Sequence, residues 1–490
     1  MMKKFIYGMM MAAAGLMITS CEDFTDIQPK GENLLSSTND LELLLNTDNY
    51  DELYSNDFII IGSNIIYNYS SVPALLSVDN KSRAALLYGY FEDQTSLNTI
   101  SDLTSSDGFY EACYNIIGRV ANPILNQLEL AKGTEAEKNE LRAEALIARA
   151  YCHFLALQKY APAYNGSNGD DPGIIYMTED KNILESQPKN SIKECYDFCM
   201  KDIDEALALN ALPEEAVNYM RWSKYAALAL KALVHLNMRE YAEAEATAKQ
   251  VLSAPGKNLY DYWQNAIPAG SFSYESHDER NINEWLFIIP AIHWLEWASP
   301  MEWNSLDPNY GRRALTYTMD RATGMDYGAL FVGLPGWDSP YDVMFQNYSN
   351  AMGLHLPMMY LIIAECELRA GNISASMNWL DQLRAKRMPE GFEKWEGSVT
   401  EKGKAINPDG TYHADGGAIA KLEQTVAAEF LWQDWTFVWR KRWNTESDWA
   451  TTQTREIGGT TYTLRPDSKL WVFPFPKTAR EKNLNLTNNW

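Results

Sequence analysis

Histidine is scarce in this chain, with six residues scattered through 490 and no pair at metal-ligand spacing. Neither a His-Glu-x-x-His helix nor a glycine-rich phosphate loop is present, so the usual signatures of zinc hydrolysis and nucleotide binding are missing. Cysteine is also sparse. Beyond Cys21 there are Cys113, Cys152, Cys195, Cys199 and Cys366, an odd number that makes no disulfide framework. All five fall in segments that read as helix, where a buried thiol behaves as a small hydrophobe. Cys195 and Cys199 stand four apart, but no His or Cys joins them at ligand spacing. Asn168, Asp170 and Asp171 in NGSNGDDPG lack the spaced ligands and terminal Glu of a calcium loop and read as a polar turn. Positive charge is in deficit, 42 Lys and Arg against 65 Asp and Glu, which repels phosphate backbones and argues against nucleic acid or a basic membrane patch. No segment after the N-terminus has 18 uninterrupted apolar residues, so the body reads as soluble. No metal, cofactor or catalytic residue is expected.

What the sequence does contain begins at its start. Lys3 and Lys4 precede a mainly apolar run from Phe5 to Ile18, then Ile18-Thr19-Ser20 leads to Cys21. A basic start, a short apolar run and small residues before the cut are a secretory signal, here residues 1–20. The run is shorter than the roughly 20 residues that span a bilayer. The segment resembles a bacterial lipobox, with Ile and Thr in place of the more usual Leu and Ala or Ser, which predicts lipidation of Cys21. Multi-chain acylation, palmitate included, would make anchoring stable, since each buried methylene contributes about 0.8 kcal/mol. Removing residues 1–20 leaves 40 basic against 65 acidic residues.

After a lipidated segment over residues 21–52, helical periodicity dominates. From Tyr110 to Leu130, the residues Tyr110, Cys113, Tyr114, Ile117, Val120, Ile124 and Leu128 recur mostly at three and four, with a kink expected at Pro123. The stretch from Glu135 to Tyr160 repeats the pattern through Leu141, Ala145, Ala148, Cys152 and Leu155. The stretch from Ser191 to Leu209 carries an N-cap Ser191 and a capping-box Glu194. The stretches 221–236 and 240–252, closed by Pro255, resemble a tetratricopeptide pair in Ala232, His235, Tyr241, Ala244 and Ala248. A similar unit returns at 356–370 and 374–386 across Gly371, and 418–442 predicts one long aromatic helix. Its Trp432, Trp435, Trp439 and Trp443 stand at helical spacing and read as core. One helix pair cannot bury its own apolar face, so several imply a stacked array.

The predicted fold is therefore mostly α: a tetratricopeptide-like array of helical pairs with irregular, aromatic-rich loop insertions and a few short strands. A single body spans 53–490, with pairs at about 110–160, 191–255, 350–387 and 418–443. Two segments break the pattern. Residues 53–108 mix aromatics with Ser, Asn and Asp and show no sustained helical period. Residues 260–345 hold 17 aromatics in 86 positions, where the chain average of 12% would give about 10. Within it, the run 284–289 looks like a strand, with Trp285 and Phe287 read as core. Loops on a rigid scaffold commonly carry binding groups, so both segments are predicted to form a ligand face.

The order of motifs resembles the SusD/RagB family of outer-membrane nutrient-binding lipoproteins of Bacteroidetes. The stretch from Cys21 to Pro29 (CEDFTDIQP) is similar to the family's mature start. YEACYNIIGRVAN from Tyr110 looks like its aromatic-x3-Tyr-x2-Ile-x4-Asn helix, and LRAEALIARAYCHFLALQKY from Leu141 like its EA-x3-RA-x3-F helix. Residues 358–387 are similar to its Leu-Ile-x-Ala-Glu-Ala helix and following Arg run, with Cys366 in the last Ala position. The end, Phe473-Pro474-Phe475-Pro476 with Asn483, Leu486 and Asn488-Asn489-Trp490, looks like its closing signature, with Ala479 and Leu484 in place of a common Glu and Pro. The helix from Glu429 departs further, having Gln433-Asp434 and Thr436 where Glu-Gly-x-Arg and Asp-Leu are usual. The resemblance implies four tetratricopeptide-like pairs, a loop-rich glycan face and a lid role over a SusC-like TonB-dependent transporter.

A sugar ring has apolar C–H faces and an equator of hydroxyls, so its sites pair flat aromatic platforms with planar polar groups. The candidate ligand-binding residues are Tyr67, Tyr69, Tyr88, Tyr90, Phe91, Asn98, Trp294, Trp297, Trp303, Arg312, Trp337 and Asp338, with Arg83 as a further polar partner. The function expected is a cell-surface, lipid-anchored outer-membrane protein that binds carbohydrate for glycan uptake and polysaccharide utilization. It would capture oligosaccharide and deliver it to the transporter without chemistry of its own. Peptide capture by a member of the same family is the alternative. A glycoside hydrolase, which needs two carboxylates roughly 5 to 10 Å apart, is a lesser one, and a pure protein adaptor is another.

Overall fold

A computed structural model of the chain describes residues 35–46, 48–62, 65–67, 72–79, 81–266, 283–293, 296–298, 307, 309–310, 347–403, 416–431 and 433–490. The signal segment and Cys21 lie outside the described residues.

Helices α1 (Thr38–Leu45), α2 (Asn56–Gly62), α3 (Val72–Ser77), α4 (Arg83–Tyr88) and α5 (Gln94–Leu103) come first, with strand β1 (Ile65–Tyr67) between α2 and α3. Residues 53–108 are thus not irregular, as the sequence suggested, but hold a run of short helices. In α2 every residue from Asp57 to Gly62 is buried, so it has no polar face to set up a period. A Cβ on Gly62 would lie 2.5 Å from the Cα of Phe437, which shows how closely α2 is overlaid.

Helix α6 (Gly108–Ile116) passes through a π-helical turn, Ile117–Ala121, into α7 (Asn122–Gln127). The expected kink at Pro123 takes this form: the hydrogen-bond register widens just before a residue with no N–H to give. Helix α8 (Glu135–Tyr160) is the hub. Its capping box joins Thr134 and Glu137, and all its residues from Ala143 to Tyr160 are buried. A helix apolar all round needs neighbours on every side, and its buried charges need partners. Arg221 donates to Glu144 at 2.7 and 2.5 Å, Arg149 grips Asp202 at 2.7 and 2.8 Å, and Lys159 reaches Asp107 at 2.7 Å.

Helix α9 (Ile192–Ala208), opened by the predicted Ser191–Glu194 capping box, packs on α8. Then α10 (Lys224–Asn237) packs on α11 (Tyr241–Val251), α11 on α12 (Leu356–Arg369), and α12 on α13 (Ile373–Arg384). The two hairpins share one turn. Arg239 and Gly371 both take positive φ, 65° and 88°. Glu240 N donates to His235 O as Asn372 N does to Glu367 O, each at 2.9 Å. The repeat read from small residues is therefore present in the backbone. Gly371 adopts this conformation freely, whereas Arg239 carries a cost of roughly 1–2 kcal/mol, offset by bonds to Tyr164 O at 3.2 Å and Thr445 Oγ1 at 2.5 Å.

The single helix expected over 418–442 is two, α14 (Ala418–Glu429) and α15 (Trp435–Trp443). The break is satisfied from a distance. Asp434 N donates to Ala351 O at 3.1 Å, the Asp434 carboxylate accepts from Ser55 N at 2.9 Å, and Trp435 Nε1 donates to Gly353 O at 2.9 Å. Trp435, Trp439 and Trp443 are core residues, as expected, and Trp432 lies outside the described residues.

The remaining strands are β2 (Trp285–Phe287), β3 (Pro290–His293), β4 (Glu296–Ala298), β5 (Asn347–Asn350), β6 (Leu354–His355), β7 (Gln453–Ile457) and β8 (Thr460–Leu464). They pair antiparallel in twos: β1–β4, β2–β6, β3–β5 and β7–β8. Trp285 and Phe287 are buried, as predicted. The chain then closes on the hub before and after a last short helix, α16 (Lys477–Lys482). Phe475 stacks on Tyr160 with ring centres 5.0 Å apart. Asn489 Nδ2 donates to Tyr160 O and Gly173 O, each at 2.7 Å, and Asn488 Oδ1 accepts from Phe475 N at 3.0 Å.

Two buried ionic clusters tie the layers together. Arg387, wholly buried, donates to Glu429 at 2.9 Å, to Glu284 at 2.9 and 3.1 Å, and to Tyr260 O at 2.6 Å. Burial, together with the nearby Glu429 carboxylate, raises Glu284 above the usual carboxylate range despite the Arg387 charge. In the second cluster Arg442 holds Glu365 at 2.5 and 2.6 Å, and Arg369 adds a bond at 2.8 Å. Burial opposes the charge on Glu365, but the two guanidinium groups prevail and bring its pKa down to about 2.

Arg387→Met leaves two buried carboxylates without a counter-ion, and should destabilise the chain by about 3–5 kcal/mol in a denaturant titration. Unchanged stability would show that the cluster is incidental. Glu365 is protonated near pH 4.5 when unfolded and only near 2 when folded, so its stabilising contribution is complete above 4.5 and lost as pH falls towards 2. Glu365→Gln should accordingly lower stability at pH 7 and flatten the loss between pH 4.5 and 2, measured by denaturation at a series of pH values. An acid slope equal to that of the parent chain would contradict it.

Candidate functional site

The second aromatic segment leaves and rejoins the scaffold at one neck. Leu356 N donates to Glu284 O at 2.9 Å, β2 pairs with β6, and β3 with β5 through Pro290↔Asn350 to His293↔Asn347. Beyond the neck, β4 pairs with β1 in the register Ile65↔Ala298, Ile66↔Trp297, Tyr67↔Glu296. The backbone therefore brings the two segments expected to form the ligand face into one sheet. Tyr67 and Trp297 stand in these strands, with side chains outside the described residues. Tyr69, Trp294, Trp303, Arg312, Trp337 and Asp338 also lie outside the described residues.

The other first-segment candidates are described in full. Tyr88 and Tyr90 are 3% and 5% exposed and belong to the core. Arg455 from β7 lies 4.3 Å from the Tyr90 ring centre and donates to Ile60 O at 2.8 Å. Phe91 is half-buried, set against Tyr462 with ring centres 6.1 Å apart and with Lys81 over its face at 5.3 Å. Asn98 is exposed on α5 and accepts from Gln94 Nε2 at 3.0 Å. Phe91, Asn98 and, in part, Arg83 are thus the described candidates that reach the surface.

Arg83 lines a charged basin of about 340 Å³, together with Tyr54, Asp57, Asp107 and Lys159 among others. Arg83 grips Asp57 through two bonds of 2.7 Å and donates to Thr104 Oγ1 at 2.8 Å. Lys159 Nζ lies 3.3 Å from Asp57 and 2.7 Å from Asp107, which also accepts from Tyr160 OH at 2.8 Å. Burial works against the Asp57 charge, yet Arg83 and Lys159 hold its carboxyl well below the usual range. A carboxylate held ionised in this way has no proton to give near neutral pH, so it is unsuited to general-acid catalysis. Tyr54, 41% exposed, lines the same basin. Arg83 apart, this basin was not legible in the sequence, because its members are drawn from segments up to about a hundred residues apart.

Among the described residues, no group of three or more His, Cys, Asp or Glu is arranged to hold a metal ion. All five described cysteines are free and buried. Cys195 Sγ faces Ile174 O and Cys199 Sγ faces Ala150 O, at 3.6 and 3.5 Å, and burial pushes the Cys195 thiol up to about 12. Within NGSNGDDPG, Asn165 Oδ1 accepts from Ser167 N and Asn168 N at 2.8 and 3.0 Å, closing a polar turn.

Residues 61–236 match the SusD-like family model described as starch-binding and associating with the outer membrane. No curated protein matches the chain. Among solved structures, a putative sugar binding protein from Bacteroides vulgatus superposes with a TM-score of 0.65 at 17% identity, covering 94% of this chain and 99% of that one. A SusD superfamily protein from Bacteroides thetaiotaomicron gives 0.62 at 18%, covering 93% and 100%. Surface glycan-binding protein A from Bacteroides uniformis gives 0.62 at 13%, covering 92% and 99%. The likeness read from the motifs is thus met twice, by the family match over residues 61–236 and by the course of the backbone, and the chain has the SusD-like fold.

Proposed function

We propose that this chain is a glycan-binding lipoprotein of the outer-membrane surface. It captures oligosaccharide on the face where β1 meets β4 and passes it to a SusC-like TonB-dependent transporter, without catalysis of its own. The observation that carries this reading is the β1–β4 register, which unites two aromatic-rich segments more than two hundred residues apart in sequence. Aromatic side chains supply large rigid area at small entropic cost, and Asn98 offers a planar amide for hydroxyls. That the B. vulgatus protein is described as sugar binding, the B. uniformis protein as glycan-binding and the family as starch-binding supports a carbohydrate ligand. No helix of the described residues is long and apolar enough to cross a membrane, which agrees with attachment through lipid on Cys21.

The test is glycan-array screening followed by calorimetry on the purified chain. Trp297→Ala should weaken the best glycan at least tenfold, a loss of about 1.4 kcal/mol, while the melting temperature holds. If no plant, microbial or host glycan binds while peptides do, the chain is a peptide-capturing member of this fold. Cys21→Ser should abolish incorporation of labelled palmitate and release the protein from the membrane fraction. Continued labelling would place the lipid elsewhere.

A further inference from the structure

Four large apolar side chains are left bare along one edge of the helical array. Leu184 is 89% exposed, Leu130 and Leu484 are 81% exposed and Ile183 72%, the highest values for large apolar residues among the described residues. Ile183 and Leu184 form the lip of a groove of about 340 Å³, walled by Ile117 and Arg119 of the π-helical turn, Asn122 of α7 and Asn483. Asn483 and Asn485, on either side of Leu484, donate to Gln187 O and Ser186 O at 2.9 and 3.3 Å, which sets Leu484 against the loop that carries Ile183 and Leu184. Asn126 of α7 donates to Glu179 O at 3.0 Å, and Leu130 stands in the turn just beyond that helix. Aliphatic side chains scattered singly over a surface are ordinary, whereas a cluster marks contact with a protein or a membrane. Exposed Arg119, Lys132 and Lys482 alternate here with exposed Glu129, Glu135 and Glu185, so the attraction this edge offers is apolar rather than electrostatic.

The described residues begin at the same edge. Lys132 N donates to Ser36 O at 2.8 Å and Thr38 N to Lys132 O at 2.9 Å, so the chain enters beside Leu130. Residues 21–34 separate that point from Cys21. At full extension they reach roughly 50 Å, whereas the way half round a body of this chain length is about 90 Å. A body held at Cys21 can therefore lower this edge onto a bilayer but not the opposite one. We propose that the edge rests on the lipid surface, with Leu130, Ile183, Leu184 and Leu484 entering the headgroup region. The proposal rests on the reading that Cys21 is lipidated: the anchor limits how far the body strays, and the apolar edge sets which side faces the bilayer.

To separate the two, the mature chain with Cys21→Ser and a histidine tag in place of residues 1–20 is held on phosphatidylcholine vesicles by nickel-chelating lipid. A dye on Leu184→Cys should be quenched at least twofold by spin-labelled phosphatidylcholine. A dye on Ser374→Cys, exposed on α13 at the other end of the array, should not be. Adding Ile183→Asp and Leu484→Asp should cut the quenching at Leu184 at least twofold while the melting temperature holds, since both side chains are already in water. The lipidated chain run alongside tests the anchor: if it leaves the vesicles while the tagged chain is quenched, the contact stands and the anchor reading fails. The proposal is overturned if Leu184 is not quenched in the tagged chain, if Leu184 and Ser374 are quenched alike, or if quenching survives both Asp changes. A protein would then be the partner for this edge.

Discussion

The placement of the proposed ligand face depends on Arg387. Its guanidinium bonds to Glu284, where the long aromatic segment leaves the scaffold, to Glu429 at the end of α14, and to the carbonyl of Tyr260. Tyr310, within that same segment, donates to Glu429 at 2.8 Å. One cation therefore fixes where an otherwise independent stretch of chain sits. Removing two acids and a cation from water is expensive, and the compensation is directional: the bonds form only when five separate stretches are in register.

The same device recurs through the helical array. Glu144 of α8 with Arg221 in the loop before α10, Arg149 of α8 with Asp202 of α9, and Glu365 of α12 with Arg442 of α15 each join separate stretches of chain in the interior. Apolar contacts along α8, rich in alanine, allow close approach but permit sliding. A charged fork matched to one carboxylate does not. The helical pairs thus acquire a defined stagger.

The long helices were legible in the sequence because apolar and small residues recur at three and four over many turns, even in α8, which is buried all round from Ala143 onward. The stretch from Glu135 to Tyr160 was read to the residue, and the Ser191–Glu194 capping box was found by its spacing. Helix α2 was not legible, since a short segment buried on all sides has no period to detect. The interruption between α14 and α15 was hidden for another reason, as its hydrogen bonds come from Ser55, Ala351 and Gly353, far away in sequence. Tyr88 and Tyr90 looked like surface aromatics among polar neighbours, but Arg455, some 365 residues later, covers them. The β1–β4 pairing joins three-residue strands, too brief for alternation to show, so sequence could name the two segments but not how they meet.

The neck formed by β2–β6 and β3–β5 has a consequence for how such a protein changes over time. Its two ends are already clasped side by side, so the scaffold barely registers how much chain lies between them. Doubling the length of a flexible excursion adds only about 0.6 kcal/mol of closure entropy. Insertions and deletions beyond the clasp that spare β4 and Tyr310 are therefore nearly neutral for folding. A lineage can rewrite what this face recognises while inheriting the same helices.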